Sequence, residues 1–334
     1  MRKLSAFLLG VCATVLFFFC SGFTITTKAE SGRYVYIGGM PAGFILNAGG
    51  AQVIGISDVT NDQGTSSPAR DAGIKSGDLI VNAGGIKVET IQELNEILAK
   101  NKENPIELTV KRENTELKLT VQPKFDPTSK KYKIGVLIRD TTTGIGTITY
   151  IDANTMKFGS LGHTVGENKP FNPPDGKIYK CNIVRIVKGV KGRAGELHGI
   201  FLGDNIIGSA ENLSECGIFG KIEDQKNVAQ LEKAEADSSF VQPGVAYVYS
   251  TIYGQTPKKY SVEIVKVDKN NPENKNYVLK ITDKELLEHT GGIVQGMSGS
   301  PIIQNNRLVG AITHVFLNDP TRGYGIDIEK MLKN

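Results

Sequence analysis

Net charge, cysteine and clustered metal ligands are all scarce in this sequence. Its 334 residues include 39 Lys and Arg and 35 Asp and Glu, so the net charge is only +4, too small a bias to indicate a nucleic-acid partner. The four cysteines form no CxxC pair, and no Cys/His cluster has zinc-like spacing, so we expect no metal and no cofactor. Hydrophobic residues at 40% and charged residues at 22% exclude a disordered chain, a collagen-like fibre and a multi-span membrane protein.

Glycine, in contrast, is abundant. Its 38 residues exceed the usual share of about 7%, and an excess of glycine at average hydrophobicity favours a turn-rich β protein over a helical bundle. A chain of this length predicts two domains, each with room for a hydrophobic core.

The N-terminus carries an export signal. Arg2 and Lys3 precede residues 4–25, which contain no charged side chain and are long enough to cross a bilayer as a helix. No A-x-A cleavage site follows, so residues 1–30 are predicted to be an uncleaved membrane anchor, with a cleaved signal peptide as the alternative. Basic residues before the span keep the N-terminus in the cytoplasm, so the rest of the chain is exported. Outside this segment, Cys181 and Cys216 either form a disulfide or stay as free buried thiols.

Short strands, glycine turns and one helix follow the apolar segment. Residues 67–81 (SPARDAGIKSGDLIV) predict a helical turn, a Gly-Asp turn and an apolar strand. Residues 91–98 place their apolar side chains on one face of a predicted helix. Thr90, directly before it, is a residue type that serves as an N-cap. Two alternating strands come next, at residues 106–111 and 116–121. This order and the string SPARDAGIKSGDLIVNAGG resemble a PDZ domain.

The resemblance to a PDZ domain covers residues 35–125 and implies a peptide-binding groove. It assigns Gly43, Phe44, Ile45 and Leu46 to the loop that binds a peptide carboxylate and to the strand beside it. A peptide segment would add as a strand beside Phe44 and pack against the predicted helix. The loop departs from the common Gly-Leu-Gly-Phe form, so free C-termini are not necessarily its ligands. The alternative is a PDZ-like fold that serves only as a spacer or an autoinhibitory lid.

The second part of the chain is rich in strand-like runs. Residues 123–132 (PKFDPTSKKY) predict a linker, and beyond them short apolar runs alternate with turn residues. One short helix is predicted at residues 228–236. No long amphipathic helix interrupts the runs, which predicts a β-barrel or a β-sandwich rather than a βαβ fold.

Two glycine-rich motifs predict chemistry in this second part. Residues 158–163 (FGSLGH) place His163 at the end of a β-hairpin, and residues 296–301 (GMSGSP) place Ser298 in a turn. Glycines let the backbone approach a substrate carbonyl, and successive N–H groups can point at a developing oxyanion. His163 and Ser298 lie about 135 residues apart, close to the roughly 140 between base and nucleophile in the chymotrypsin template. Each feature alone is usually structural, but together they predict a serine peptidase.

Longer strings resemble one peptidase family. GIGTITYID, FGSLGH and TGGIVQGMSGSPIIQNNRLVGAITHVFLNDPTRGYGIDIE, with the PDZ-like module, resemble the SpoIVB-type serine peptidases of endospore-forming bacteria over essentially the whole chain. The resemblance implies a mostly β fold, in which a PDZ domain is followed by a chymotrypsin-like double β-barrel peptidase domain at residues 126–334, behind one apolar anchor or signal helix. It also implies a self-cleaving endopeptidase, made in the forespore, that acts in the space between the two sporulation membranes. There it cuts a membrane-protein partner and triggers late sigma-factor activation in the mother cell, while the PDZ module holds partner or self segments.

The same resemblance implies roles for single residues. Ser298 is the nucleophile and His163 the general base, with the main-chain N–H groups of Gly296 and Ser298 as the oxyanion hole. The acid that orients the base stays open. The family pattern points to Asp283, whereas Asp204 lies nearer the place of the template's acid, and a His–Ser dyad is the third possibility.

Three further expectations concern activity. Thr313 matches another family residue implicated in activity, with the alternative that it only lines the substrate cleft. Self-cleavage needs an exposed, extended segment, which we expect at residues 26–36. The competing function is a catalytically silent, PDZ-bearing envelope scaffold that binds a partner without cutting it, and a paralogue with another membrane substrate is a further possibility.

Overall fold

Strands make up most of the structure. The computed structural model describes residues 32–62, 64–113, 115–161 and 176–334, and Arg33–Asn334 forms one compact unit. The strands of the described part are β1 (Tyr34–Ile37), β2 (Pro41–Ile56), β3 (Val59–Asn61), β4 (Gly64–Ser66), β5 (Leu79–Ala83), β6 (Ile86–Lys87), β7 (Ile106–Arg112), β8 (Thr115–Val121), β9 (Lys124–Asp126), β10 (Lys131–Lys133), β11 (Val136–Asp152), β12 (Lys157–Leu161), β13 (Gly176–Val187), β14 (Glu196–Ser214), β15 (Gly217–Ile222), β16 (Lys233–Ala236), β17 (Gly244–Ser250), β18 (Lys258–Val267), β19 (Tyr277–Ile281), β20 (Pro301–Gln304), β21 (Arg307–Phe316) and β22 (Asp319–Asp327). Its helices are α1 (Pro68–Asp71), α2 (Ile91–Asn101), α3 (Gln225–Val228), α4 (Lys284–Thr290) and α5 (Ile328–Met331). The prediction of a mostly β protein is confirmed.

Six strands form a first closed antiparallel circuit. β2 pairs with β11, β11 with β12, β12 with β15, β15 with β14, β14 with β13, and β13 pairs back with β2. The interior of this first barrel contains buried side chains such as Phe44, Ile148, Phe158, Ile178 and Ile218. They are supplied by alternate strand positions, because successive side chains of a strand point to opposite faces of the sheet.

Six further strands form a second closed circuit. β17 pairs with β18, β18 with β19, β19 with β22, β22 with β21, β21 with β20, and β20 pairs back with β17. Its core includes Val248, Tyr260, Leu279 and Ile312. Outside both circuits, β1 pairs with β11 and with β16, and β16 runs parallel to β21. These two short strands therefore connect the first barrel to the second.

The PDZ-like module is inserted into a long hairpin of the first barrel. β2 and β11 pair from Pro41 with Thr147 to Ile56 with Val136. The chain between them forms β3 to β10 with α1 and α2 around a separate core that includes Ile80. The module is therefore an extension of the hairpin formed by β2 and β11, and both connections to the barrel are strands.

Helix α2 follows its predicted pattern. The Thr90 side chain accepts a hydrogen bond from the Glu93 N–H, and the Glu93 carboxylate accepts one from the Thr90 N–H, which together form a capping box. Leu94 and Leu98 are buried on the inner face of the helix. The helix predicted at residues 91–98 is confirmed.

Two local predictions are wrong. The predicted linker at residues 123–132 contains the hairpin of β9 and β10, where Lys133 and Asp126 form an ion pair at 2.7 Å. The hydrogen bond from the Lys133 ammonium, supported by Ser129, holds the pKa of the Asp126 carboxyl below its usual range. The helix predicted at residues 228–236 is instead the end of α3 followed by β16, because pairing with β1 overrides the local helix propensity.

Strand pairing also crosses the predicted domain boundaries. β1 and the first half of β2 pair with strands of the first barrel, although β2 begins within the predicted PDZ range of residues 35–125 and β1 begins only one residue before it. Strand β11 begins after that range and still pairs with the PDZ-like part of β2. The predicted domain limits, residues 35–125 for the PDZ domain and 126–334 for the peptidase domain, stay a prediction.

The predicted membrane anchor, residues 1–30, lies outside the described residues. In the part of the chain that the structure describes, no helix is both long and apolar enough to cross a bilayer. Cys181 and Cys216 are both free, so they do not form the disulfide that was one of the two expectations. Burial raises the pKa of the Cys181 thiol to about 11.

Candidate active site

Ser298 lies in a tight turn that requires glycine on both sides. Gly296 and Gly299 have φ angles of +95° and +94°, which L side chains rarely adopt. A Cβ atom on Gly299 would lie 2.2 Å from the Thr147 carbonyl oxygen, and one on Gly296 would lie 3.0 Å from the Leu197 Cβ. The turn therefore packs its backbone directly against β11 and β14.

Strand β11 fixes two carbonyl groups of this turn, while the N–H groups of Met297, Gly299 and Ser300 bond to other main-chain carbonyls. The Thr147 hydroxyl donates to the Gly296 carbonyl at 2.8 Å, and the Thr147 N–H donates to the Ser298 carbonyl at 3.2 Å. Among the described residues, no acceptor takes the N–H of Gly296 or of Ser298. Two free N–H groups beside a serine are the arrangement an oxyanion hole requires.

The Ser298 hydroxyl donates to the Thr313 carbonyl at 2.8 Å. Thr313 is 3% exposed, and its own hydroxyl finds no partner among the described residues. Thr313 thus lies beside Ser298, and its role in activity stays a prediction. The serine hydroxyl must leave the Thr313 carbonyl before it can pass its proton to a base.

His163, the predicted base, and Gly162 lie outside the described residues. Leu161, the last residue of β12, precedes them directly and lines the same cavity as Ser298. A Cβ on Gly299 would lie 2.6 Å from the Leu161 N, so the end of β12 packs against the serine turn. The end of β12, two residues before His163, therefore lies beside the Ser298 turn.

The orienting acid stays a prediction. Asp283 caps α4, since its carboxylate accepts hydrogen bonds from the N–H of Leu286 at 3.0 Å and of Ser261 at 3.2 Å. It does not line the cavity that contains Ser298. Asp204 belongs to β14, and its side chain lies outside the described part.

Ser298 opens into a cleft of about 460 Å³ between the two barrels. Its walls come from β2, β11, β12, β15, β21 and the loops before Ser298 and β14. The lining consists of Phe44, Leu46, Thr142, Thr143, Gly144, Ile145, Leu161, Ala194, Ile218, Ile293, Val294, Gln295, Gly296, Ser298, Thr313, His314, Val315 and Leu317. None of these described residues is Lys, Arg, Asp or Glu.

The predicted peptide-binding strand is wrong. Gly43, Phe44, Ile45 and Leu46 pair with β11 along one edge and with β13 along the other. A peptide cannot add as a strand here, because both edges are occupied. Phe44 and Leu46 instead line the cleft beside Ser298, and Gly43 lies against the ring of Phe201.

A free strand edge of the PDZ-like module lies on β11 instead. Residues 136–140 pair with β2 on one side, and no strand of the described part pairs with them on the other. The start of α2 lies against this stretch, with the Ile91 N–H donating to the Asp140 carboxylate at 2.9 Å. The sequence signal that pointed to Gly43, a glycine beside apolar residues at the start of a strand, also occurs at Gly135, before Val136.

The serine turn at a cleft and the PDZ-like module fit a serine peptidase that carries a PDZ domain. Family comparison agrees, because the SpoIVB peptidase S55 family matches residues 130–332 and the PDZ domain family matches residues 45–122. The chain belongs to the SpoIVB peptidase S55 family.

Similar proteins with other names match only in part. A candidate zinc metalloprotease of Brucella suis biovar 1 is 28% identical over 118 residues, covering 34% of this chain and 31% of that protein. A candidate zinc metalloprotease of Clostridium perfringens is 39% identical over 71 residues, which cover 21% of this chain and 21% of that protein. The chain thus spans about a third or less of the curated relatives it matches. Within the described residues, no group of three His, Cys, Asp or Glu is placed to hold a metal ion.

Two solved structures are also similar. The PDZ domain of an SdrC-like protein from Listeria monocytogenes has a TM-score of 0.22 at 20% identity, covering 27% of this chain and 86% of that one. The inactive form of the Rv3671c protease has a TM-score of 0.34 at 13% identity, covering 57% of this chain and 83% of that one.

Proposed function

We propose that this chain is a self-cleaving serine endopeptidase of sporulation with a chymotrypsin-like double β-barrel. In this proposal it is anchored in, or exported across, the forespore membrane and cuts a membrane-associated partner in the intermembrane space. That cut triggers activation of a late sigma factor in the mother cell. The observation that carries the peptidase part is Ser298, set between glycines at a cleft with two unused N–H groups beside it.

The proposed chemistry uses these groups in order. The Ser298 Oγ gives up its bond to the Thr313 carbonyl, passes its proton to His163 and attacks the scissile carbonyl carbon. The resulting oxyanion accepts hydrogen bonds from the N–H groups of Gly296 and Ser298. His163 then protonates the leaving amine, the C–N bond breaks, and water releases the acyl group from Ser298 in a second round.

The proposal distinguishes two acids by mutation. Asp283→Asn keeps one carbonyl oxygen for the helix cap, so the fold survives. Its activity is compared with that of Asp204→Asn. If Asp283 orients His163, activity falls about 10⁴-fold in Asp283→Asn and stays in Asp204→Asn; the reverse pattern assigns Asp204. Full activity in both variants favours the dyad.

The peptidase function is tested on the full-length chain and its Ser298→Ala variant. The wild type should fragment itself and react with a fluorophosphonate, whereas Ser298→Ala should do neither, since the nucleophile is removed. Ser300→Ala is the control, because its hydroxyl bonds Ser250 inside the second barrel. Self-cleavage at the wild-type rate in Ser298→Ala would rule out this mechanism and favour the silent scaffold.

The sporulation role rests on family membership and needs a cellular test. Mass spectrometry of the mature N-terminus in sporulating cells should find a new end near residues 26–36 that is absent when Ser298→Ala replaces the wild type. A strain with Ser298→Ala should also fail to process its late mother-cell sigma factor. Normal processing in that strain would instead make this chain a paralogue with another membrane substrate.

A further inference from the structure

One stretch of the chain carries positive charge without any acid. Residues 177–195 contain six Lys and Arg side chains and no Asp or Glu, in a protein whose net charge is only +4. Three of these six charges lie on exposed side chains in residues 188–193, the connection between β13 and β14, which we call the basic loop. They are Lys188, Lys191 and Arg193.

Hydrogen bonds hold the basic loop in one conformation. Val190 and Arg193 bond to each other in both directions, at 3.0 and 2.9 Å, and enclose a turn of Lys191 and Gly192. Gly192 has a φ of +87°, which this position of a tight turn requires. Its N–H donates to the Leu317 carbonyl at 2.7 Å. The loop is therefore fixed against the end of β21.

The basic loop is also tied to the turn that carries Ser298. The Gln295 N–H donates to the Gly195 carbonyl at 2.9 Å, and Gln295 lies three residues before Ser298. Ala194, which follows the loop directly, lines the same cleft as Ser298, and so does Leu317. A polypeptide that extends out of the cleft on this side therefore passes the basic loop.

Two cations of the basic loop are available to a ligand. In the part of the chain that the structure describes, the side chains of Lys191 and Arg193 form no ion pair and no hydrogen bond. The acids that flank the loop have other partners. Asp319 lies 3.7 Å from Arg322, and Glu196 lies 3.2 Å from a histidine nitrogen. The positive charge of the loop is therefore not neutralised by these neighbours.

Apolar side chains accompany these cations. Val190 is 48% exposed and Leu317 is 55% exposed, and the hydrogen bond between Gly192 and Leu317 keeps the two segments together. A carboxylate suits the cations, and an apolar side chain next to it in the same polypeptide suits the exposed valine and leucine. The surface therefore fits an acidic residue with an apolar neighbour.

We propose that the basic loop binds an acidic side chain of the polypeptide substrate and thereby selects which bond is cut. Arg193 pairs with the carboxylate, Lys191 adds a second positive charge, and an apolar residue beside the acid covers Val190 and Leu317. The inference rests on the proposed peptidase function. It goes beyond that function by naming a substrate class, a segment with an acid near its scissile bond.

The connection between the loop and the serine limits where that acid lies. The path from Ser298 through Gln295 and Gly195 to Arg193 measures at most about 25 Å. An extended substrate advances about 3.3 Å per residue, so we expect the acid within about seven residues of the scissile bond. Because the loop lies at one end of the cleft, the preference should occur on one side of that bond only.

The test compares peptides that differ by one carboxylate. A peptide that the full-length chain cuts is selected from a mixture, and each position within about seven residues of the scissile bond is made Glu or Gln in turn. On one side of the bond, the best Glu peptide should have a kcat/KM about fivefold above that of its Gln counterpart at about 0.05 M salt. The ratio should approach one at about 0.5 M salt, because exposed charges are screened.

A double variant assigns the preference to the basic loop. Lys191→Gln with Arg193→Gln should bring the Glu-to-Gln ratio close to one at low salt. Lys157→Gln with Lys221→Gln is the matched control, because these two exposed lysines face each other across β12 and β15 and do not line the cleft. It removes the same charge and should keep the ratio. Fluorophosphonate labelling of Ser298 should be equal in all three proteins.

The outcomes separate the inference from the proposed function. A Glu-to-Gln ratio near one in the wild type, or a ratio that the loop variant leaves unchanged, would overturn the inference while leaving the peptidase intact. If the loop variant instead loses binding to phosphatidylglycerol vesicles and keeps the ratio, the surface binds an anionic membrane and the inference is wrong. Absence of both cleavage and labelling would overturn the proposed function, and this inference with it.

Discussion

Thr147 offers a direct test of how β11 holds the nucleophile turn. Its hydroxyl donates to the Gly296 carbonyl, and the residue is 3% exposed. Thr149 lies further along the same strand and is fully buried, but its hydroxyl has no partner among the described residues. Valine in place of either threonine keeps the side-chain shape and removes one hydroxyl, so Thr149→Val is a matched control for Thr147→Val.

The two substitutions should change stability in different directions. Thr147→Val loses a buried hydrogen bond and leaves the Gly296 carbonyl short of a donor, which lowers the free energy of unfolding by about 1–2 kcal/mol. Thr149→Val removes a buried hydroxyl that is not satisfied and adds a methyl group, so it is neutral or raises the free energy of unfolding by up to about 1 kcal/mol. The two variants should therefore differ by about 2 kcal/mol.

The catalytic constants should also depend on the hydrogen bond between the Thr147 hydroxyl and the Gly296 carbonyl. The Gly296 carbonyl belongs to the turn whose two unused amides we propose as the oxyanion hole, so Thr147→Val should loosen groups that act mainly in the transition state. We expect kcat to fall about tenfold at nearly constant KM. Thr149→Val should leave both constants unchanged, because its hydroxyl bonds to no group in the described part of the chain.

The stability assay is urea unfolding in a Ser298→Ala background, which prevents self-digestion during the measurement. Activity is measured separately in proteins that keep Ser298, on one peptide substrate. Equal midpoints for the two valine variants, or a larger loss in Thr149→Val, would refute the assigned role of the Thr147 hydroxyl. A rise in KM with constant kcat would place Thr147 in substrate binding instead.

Three further predictions concern buried ionisable groups. Arg112→Ala should lower the free energy of unfolding, measured in urea, by about 3–5 kcal/mol. The reason is that the fully buried Asp78 carboxylate loses its two hydrogen bonds from the guanidinium, at 2.7 and 2.8 Å. Lys118→Ala is the control: it breaks an exposed ion pair and should lower the free energy of unfolding by less than about 1 kcal/mol. Burial raises the pKa of Asp152, but hydrogen bonds from Thr155, Asn154 and Arg33 outweigh it and leave that pKa lowered. Its contribution to stability is therefore present above the ordinary aspartate pKa of about 3.9 and is lost as pH falls below it, so Asp152→Asn should flatten urea midpoints measured across that range. Iodoacetamide at about pH 8 should modify Cys181 only after unfolding, since burial raises its pKa to about 11.

Local signals in the sequence were sufficient for the helix and for the glycine turn around Ser298. Thr90 and Glu93 make a capping box from two residues three positions apart, and the spacing of Leu94 and Leu98 defines the buried face. Around Ser298, the positive φ of the flanking glycines is a property of the turn itself. Such features depend on neighbours in the chain, so pattern reasoning reaches them.

The free strand edge on β11 could not be predicted in the same way, because it depends on pairing across the chain. Gly43 and Gly135 carry similar local signals, a glycine beside apolar residues at the start of a strand. What distinguishes them is that β13, more than a hundred residues away in sequence, occupies the second edge at Gly43, whereas no described strand does so beyond Gly135. The helix predicted at residues 228–236 fails for a related reason, since β16 gains its strand form from β1.

The insertion of the PDZ-like module into a barrel hairpin has a mechanical consequence. A module joined by a flexible linker would hold a substrate near the cleft at many orientations, and would act only through effective concentration. Here both connections, β2 and β11, are strands that also belong to the wall of the cleft. Residues 136–140, the part of β11 in the module, therefore belong to the same strand as Thr147 and, through it, are joined to the Ser298 turn. A ligand that orders this part of β11 is expected to steady the Ser298 turn as well, so binding at the module and catalysis at the serine should depend on the same hydrogen-bonded strand.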